Sequence, residues 1–376
     1  MQCKFLEHGV AVGYDHVVRP CCNWIQDHEW NEQNHISKVD LNTWHQSPSL
    51  IKAREDLAQG QWPKNCSQCQ VIEQQGRVDS VRGGANQSYQ NYQQSDVTLE
   101  IRPGSVCNFA CQTCWPEASS RVAQFYHQAR KIDIQSISSH SIDNFDFLLP
   151  IADRLKTVVL LGGEPFYDTN CIKFLDWAEQ NLTAEVIMFT NGSHVNWSWV
   201  DSYSGKIIMV FSIDAVGPPA EYIRFGTDWP VVFDNFCQAQ KHPKIDLRVN
   251  ITASVFNYPY IESVIDLLIP RWPTVVSFGQ PQHSPHLCEP AVPPAHRKII
   301  VEQLIDTISK IWAADIEIGQ QHNAANALQS IVNNLLSDNF NPTLHQTLKE
   351  FVADMDRVKH VQVQDYCDWL SRVCAS

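Results

Sequence analysis

The chain has 376 residues, of which 44% are hydrophobic and 18% charged, a balance that excludes a disordered protein. Its formal net charge is −13 and its Lys and Arg residues form no cluster, which argues against a nucleic-acid partner. No run of about 18 apolar residues is present, and the N-terminus lacks the pattern of a signal peptide. We therefore expect a cytoplasmic protein with no membrane partner.

The first segment, residues 1–95, shows little regular periodicity but is rich in cysteine. One helix is predicted over 47–59, with Ser47 as its N-cap, Pro48 in its first turn and Gly60 just beyond its end. The polar stretch 87–95 is predicted to be a loop. Because a chain of this length buries a large core and the cytosol is reducing, we expect clustered cysteines to be metal ligands or catalytic residues, not disulfides.

In the middle of the chain, short β-rich runs alternate with segments of helical length. Strands are predicted at 97–101, 157–161, 185–190, 207–213, 246–252 and 275–278, and helices near 116–130, 168–182, 195–203, 230–240 and 258–269. This alternation predicts a parallel sheet, and six strands fit a partial (β/α)6 barrel. In such folds the chemistry lies at the carboxyl ends of the strands.

The end of the chain carries apolar residues at helical spacing, which predicts helices at 297–311, 324–336, 348–358 and 365–373. We therefore expect an α/β protein in three parts. These are a Cys-rich module over 1–95, a partial (β/α)6 barrel over 96–285 and a helical C-terminal region over 286–376.

Three cysteines follow the first predicted barrel strand: Cys107, Cys111 and Cys114, spaced C-x3-C-x2-C in one loop. Three thiolates on one short loop can each bind one iron of a cubane cluster and leave the fourth iron without a protein ligand. A cluster with an open position can bind a small molecule, as a catalytic zinc site does. The alternatives are three buried cysteines, or a zinc site that lacks its fourth ligand.

This loop resembles the signature of the radical S-adenosylmethionine (SAM) enzymes, and later strand ends are similar to that family's motifs in the same order. The similarity covers residues 97–280. The matching segments are Gly162-Gly163-Glu164-Pro165, similar to "GGEP"; Thr190-Asn191-Gly192, similar to "TNG"; Ser212-Ile213-Asp214, similar to "SxDG" with Ala215 in place of the glycine; and Arg224, shortly after that strand.

The resemblance implies that Cys107, Cys111 and Cys114 hold a [4Fe–4S] cluster whose open iron binds SAM. It further implies that Glu164 receives the ammonium group of SAM and that Arg224 pairs with its carboxylate. The family has an aromatic residue where this chain has Thr113, so Phe109 and Trp115 are candidates for stacking on the adenine. The other candidate SAM contacts are Gly162, Gly163, Pro165, Asn191, Ser212 (at the ribose), Asp214 and Asn250.

The cysteines of the first segment are similar to the auxiliary-cluster module, called SPASM or twitch, of peptide-modifying radical SAM enzymes. Here the module precedes the barrel, as in a twitch-domain subgroup. The resemblance implies a second, auxiliary iron–sulfur cluster. Its implied ligands are Cys3, Cys21, Cys66 and Cys69, with Cys22 as the alternative to Cys21. A zinc site built from four cysteines is the alternative to this cluster.

The family resemblance also implies a reaction. The reduced cluster cleaves SAM to a 5′-deoxyadenosyl radical, which takes a hydrogen atom from the substrate, with a flavodoxin or ferredoxin as external electron donor. We expect a peptide or protein side chain as the substrate. The alternatives are a small molecule or carbohydrate that is dehydrogenated, or a non-catalytic iron–sulfur or zinc protein that binds a partner.

Overall fold

The computed structural model describes residues 1–74, 80–134, 141–281 and 284–376. The chain divides into two compact units. Unit 1 contains Met1–Gly104, Ser138–Met188 and Asn196–Ile207, and unit 2 contains Ser105–Ile137, Phe189–Val195 and Ile208–Ser376. The two units are defined by how compactly their residues pack, which does not test the three parts predicted from the sequence. That division stays a prediction.

The strands of the described part are short, and most of their residues are buried. In chain order they are β1 (Gly9–Val12), β2 (Val18–Arg19), β3 (Val97–Ile101), β4 (Ala110–Cys111), β5 (Leu155–Leu160), β6 (Glu185–Thr190), β7 (Ile207–Ser212), β8 (Arg224–Phe225), β9 (Ile245–Thr252) and β10 (Val275–Gly279).

The longest helices in the described part of the chain lie toward its C-terminus. They are α1 (Lys4–His8), α2 (His28–Gln33), α3 (Pro48–Ala58), α4 (Ser67–Gln74), α5 (Val81–Ser88), α6 (Ser120–Gln128), α7 (Thr169–Asn181), α8 (Trp197–Ser202), α9 (Pro218–Ile223), α10 (Trp229–Lys241), α11 (Ile261–Leu268), α12 (Pro294–Ala313), α13 (Ile318–Leu336), α14 (Pro342–Lys359) and α15 (Asp368–Ala375). A longer 3-10 segment, Asp146–Arg154, precedes β5.

Unit 1 is built on a mostly parallel sheet in the order β2-β1-β3-β5-β6. Strand β1 runs parallel to β3, with Ala11 opposite Glu100, and β3 and β5 continue the parallel arrangement toward β6. Only β2, at the edge, is antiparallel. All four residues of β1 are buried, as expected for a parallel strand that is covered on both faces. A mixed α/β fold with a mostly parallel sheet is thus confirmed, while closure into a partial barrel stays a prediction.

Unit 2 contains β7, β9 and β10 as neighbours, with β9 and β10 parallel and Val249 opposite Val276. The C-terminal helices α12 to α15 share one apolar core with this unit. Fully or nearly fully buried members of that core are Phe256, Leu287, Ile300, Leu328, Phe351 and Leu370. In the described part of the chain, no helix combines the length and apolar character that crossing a membrane requires.

Several predicted elements differ from the structure in their ends. Ser47 stands at the N-cap of α3, but its hydroxyl makes no capping hydrogen bond and lies buried without a partner in the described part. The stretch 87–95 is not all loop, because α5 extends to Ser88 from a cap in which the Ser80 hydroxyl accepts from the Gly83 N–H at 2.9 Å. The tail helices α13 and α14 begin about six residues before their predicted starts, since their first turns are polar and lack apolar periodicity.

Candidate functional site

The loop with three cysteines lies in unit 2 and is fixed by backbone pairing. Strand β4, which contains Cys111, pairs antiparallel with β8, so that Cys111 stands opposite Arg224. The next residue, Gln112, donates its backbone N–H to the Ile223 carbonyl at 2.7 Å. The Ser119 hydroxyl donates to the Phe109 carbonyl at 3.3 Å and caps helix α6. The ladder and this cap fix the backbone on both sides of Cys111.

The three thiols act on one another. Burial raises the pKa of the Cys114 thiol to about 12, and the Cys111 and Cys107 thiols act in the same direction. Burial also raises the pKa of Cys111, whereas the positive charge of Arg224 opposes that rise. Three half-buried thiols on one short loop are a donor set of the type that iron–sulfur clusters take. Within the described residues, no three His, Cys, Asp or Glu side chains are grouped as ligands of a single metal ion.

Asn191 connects the end of β6 to this loop within unit 2. Its Nδ2 donates to the Asn108 Oδ1 at 2.8 Å, and its Oδ1 accepts from the Ser193 hydroxyl at 2.6 Å. Asn108 in turn donates to the Ser193 Oγ at 2.8 Å, which closes a ring of three polar side chains. The Asn191 Nδ2 also lies 3.9 Å from the Cys107 Sγ. Sequence reasoning missed Asn108 and Ser193, although each is adjacent to a motif residue.

We expect the replacement of Gly192 by alanine to lower the stability of the protein. Its φ is +73°, and a Cβ there would lie 2.6 and 2.8 Å from two ring carbons of Phe211. The left-handed backbone costs an alanine ~1–2 kcal/mol and overpacking adds ~1–3 kcal/mol, so we expect Gly192→Ala to lose about 3 kcal/mol. Gly60→Ala is the control, since Gly60 also has a positive φ but no atom near its Cβ position. Urea unfolding of both variants would show the difference, and equal midpoints would contradict this account.

Asp214 and Arg224 pair with each other in unit 2. The Arg224 Nη1 donates to the Asp214 Oδ2 at 3.0 Å, and the Thr252 N–H donates to the Oδ1 at 2.7 Å. Burial acts to lower the pKa of Arg224, but Cys111, Asp214 and Cys107 outweigh it and raise that pKa. The Arg224 Nε is buried and has no hydrogen-bond partner among the described residues. Arg224 therefore retains a donor for an anionic group, whereas both carboxylate oxygens of Asp214 are occupied.

The other residues of unit 2 that were predicted to contact SAM differ in their exposure to solvent. Phe109 is 1% exposed, so protein covers its ring, while Trp115 is half-buried. Ser212 ends β7 and is half-buried, and the Asn250 Oδ1 accepts from the Ser277 hydroxyl at 3.0 Å. Their roles in binding a cofactor stay predictions.

In unit 1, the segment after β5 forms a tight turn against the end of β3. Gly162 has a φ of +130°, and a Cβ at this position would run into the Gly104 carbonyl. Gly163 donates its N–H to the same carbonyl at 3.3 Å. Glu164 is 1% exposed, and its carbonyl accepts the N–H of Asp168 at 2.8 Å. Gly162 is thus required by a close backbone approach, and Pro165, which is buried, follows the turn.

Four cysteines of the first segment line one small cavity in unit 1: Cys3, Cys21, Cys66 and Cys69. Burial raises the pKa of Cys66 to about 12, and the Cys3 and Cys69 thiols act in the same direction. Cys22 does not line this cavity, and its thiol interacts with the carboxylate of Glu100. This arrangement brings together the four thiols that the sequence favoured, and their role as ligands stays a prediction.

Comparison with known proteins found similarity to solved structures alone. No protein-family model matches the chain, and no curated protein matches it. Among solved structures, the chain is similar to "Native anSMEcpe with bound AdoMet", at 17% identity and a TM-score of 0.36, over 49% of this chain and 51% of that chain. It is also similar to Streptococcus suis SuiB bound to S-adenosylmethionine, at 13% identity and a TM-score of 0.37, over 81% and 68% of the two chains.

A third similar structure is Streptococcus suis SuiB bound to the precursor peptide SuiA, at 13% identity and a TM-score of 0.38, over 83% of this chain and 70% of that chain. The match spans about half the length of anSMEcpe. Similarity at this level assigns neither an activity nor a substrate, so a functional proposal must stand on the residues of this chain.

Proposed function

We propose that the chain is a radical SAM enzyme, in which Cys107, Cys111 and Cys114 hold a [4Fe–4S] cluster that binds SAM. The observation that carries the proposal is the single loop with three half-buried, interacting thiols, paired through β4 with the strand of Arg224. When bound, such a cluster and SAM supply one-electron chemistry that yields a 5′-deoxyadenosyl radical able to take a hydrogen atom from carbon.

The residues around the loop prepare it for this cofactor. Burial raises the pKa of the Cys111 and Cys114 thiols, so a cation is needed to hold them as thiolates at neutral pH. Iron and the Arg224 guanidinium are both positively charged and favour the thiolate form of these cysteines. Asp214 holds the guanidinium in place, and the buried Nε of Arg224 offers a hydrogen bond to the SAM carboxylate.

We further propose that Glu164, in the turn of unit 1, receives the ammonium group of SAM. Glu164 is 1% exposed, so its carboxylate lies away from bulk water. The tight turn against Gly104 fixes the backbone of this residue. The assignment rests on the similarity of Gly162-Gly163-Glu164-Pro165 to the family motif.

For the substrate, we propose a peptide or protein side chain. The support is the cavity that carries four cysteines in the first segment, whose sequence is similar to the auxiliary-cluster module of peptide-modifying enzymes. The second cluster would shape the substrate site or carry electrons. A flavodoxin or ferredoxin is the proposed class of electron donor.

The proposal is tested on protein that is reconstituted anaerobically with iron and sulfide and then given dithionite and SAM. We expect 5′-deoxyadenosine as a product, measured by mass spectrometry. Glu164→Gln keeps the size of the side chain but removes its charge, and should retain iron while lowering product formation at least tenfold, since a charged hydrogen bond contributes ~1.5–3 kcal/mol. Glu179→Gln, at an exposed position of α7, is the control.

Absence of 5′-deoxyadenosine from protein with its full iron content would overturn the proposal. The substrate class is tested separately, by following deuterium from labelled peptides into 5′-deoxyadenosine. Transfer from a carbohydrate or small molecule, and from no peptide, would contradict the peptide assignment while leaving the cofactor chemistry in place.

A further inference from the structure

A buried lysine from the C-terminal helices contacts the cysteine loop of unit 2. Lys359, the last residue of α14, is 7% exposed. Its Nζ donates to the carbonyl oxygen of Ala110 at 2.9 Å, immediately before Cys111 in the chain. The same ammonium lies over the rings of Phe225 at 5.2 Å and Phe125 at 5.6 Å. Its surroundings are thus one carbonyl, two aromatic faces and the loop that carries the thiols.

No carboxylate lies within ion-pair distance of this ammonium in the described part of the chain. The acid that acts on it from its own helix is Asp356, one turn earlier. Both oxygens of Asp356 are occupied, since they accept from the Tyr222 hydroxyl and the Val363 N–H, each at 2.8 Å. Arg121, which contacts the Asn108 carbonyl, adds a repelling charge. Burying a cation is costly without an anion, and aromatic faces and one carbonyl compensate only part of that cost.

The thiols of the loop are the groups that can supply the compensating negative charge. The Lys359 ammonium is hydrogen-bonded to the backbone carbonyl that immediately precedes Cys111, which places its charge beside the loop that carries these thiols. We propose that Lys359 is the charge partner of the cluster held by Cys107, Cys111 and Cys114, and that it raises the reduction potential of this cluster. The inference rests on the proposed function, because it requires the cluster.

The direction of the effect follows from the charges. Reduction transfers one electron from the reductant to the cluster and so adds one negative charge beside the ammonium. A nearby positive charge in a medium of low dielectric constant stabilises the reduced form more than the oxidised form. Net charge and hydrogen bonding are among the features that set the potential of iron–sulfur clusters. Lys359 therefore acts on the cluster through its positive charge and makes the cluster easier to reduce.

The test compares three variants of the reconstituted full chain. Lys359→Met removes the charge and the hydrogen bond, Lys359→Gln removes the charge but keeps a donor, and Lys359→Arg keeps the charge. Lys298→Met, at an exposed lysine of α12, is the matched control. The midpoint potential is measured by dithionite titration followed by electron paramagnetic resonance. The relevant signal is the one that is lost when Cys107, Cys111 and Cys114 are replaced.

We expect Lys359→Met and Lys359→Gln to lower the ratio of reduced to oxidised cluster at a fixed potential at least tenfold, which is about 59 mV for one electron. Lys359→Arg and the control Lys298→Met should retain the wild-type potential. If the Lys359→Met variant fails to fold, the comparison of Lys359→Gln with Lys359→Arg tests the inference in its place. An unchanged potential in a folded, iron-loaded Gln variant would overturn the inference. Failure of wild-type protein to bind iron through the three cysteines would instead overturn the proposed function.

Discussion

Replacing Cys107, Cys111 and Cys114 together by alanine is expected to abolish 5′-deoxyadenosine formation and to lower the iron content by about four atoms per chain. The three thiols lie on one loop and act on one another, so we expect them to serve as one donor set. Loss of any one ligand should remove most of the activity, and the effects of single replacements should not add, as for other residues that act as a unit.

The loss can be assigned to the cluster only if the protein stays folded. Cys237→Ala is the matched control, since this half-buried cysteine of α10 lies outside every motif. The triple variant should keep the iron bound by the first-segment cysteines and the wild-type circular dichroism spectrum. A folded triple variant that retains its iron and forms 5′-deoxyadenosine would show that the cluster lies elsewhere.

The sequence predicted the buried strands of the middle segment well. The bounds of β3 and β6 agree with the prediction to the residue, because each strand is a run of β-branched and apolar residues that ends at a polar or turn-forming residue. Strands β1 and β2 were missed. They have four and two residues, too few for a periodic pattern, and β1 is stabilised by pairing with β3, about 90 positions away in the chain.

The sequence nominated the residues of the candidate site, whose roles stay predictions, but it did not indicate their contacts. The family resemblance nominated both Asp214 and Arg224 as SAM contacts, whereas the structure pairs them with each other. No local pattern pointed to Lys359, which contacts the loop from 249 positions away. The spacing of a motif shows which residues are neighbours in the chain. It does not show which charged residues from distant positions pack against those residues.

The same limit applies to the first segment, where the adjacent residues Cys21 and Cys22 could not be distinguished by spacing. The structure separates them, since Cys21 shares a cavity with Cys3, Cys66 and Cys69, while Cys22 interacts with Glu100. Burial raises the pKa of Cys21 well above its usual range, and the thiols of Cys22, Cys3 and Cys66 add to that rise. Closely grouped, buried thiols of this kind are stabilised as thiolates when they bind a metal centre.

We therefore expect Cys21→Ala to lose the auxiliary cluster and Cys22→Ala to retain it. The two changes remove the same atoms from neighbouring positions, so each serves as the control for the other. Iron and sulfide analysis of anaerobically purified protein, together with the absorbance of the clusters, measures the outcome. Cys21→Ala should lower the iron content while the three-cysteine cluster remains. Equal losses in both variants, or a loss confined to Cys22→Ala, would contradict the assignment, and zinc in place of iron would show that the four cysteines form a structural zinc site.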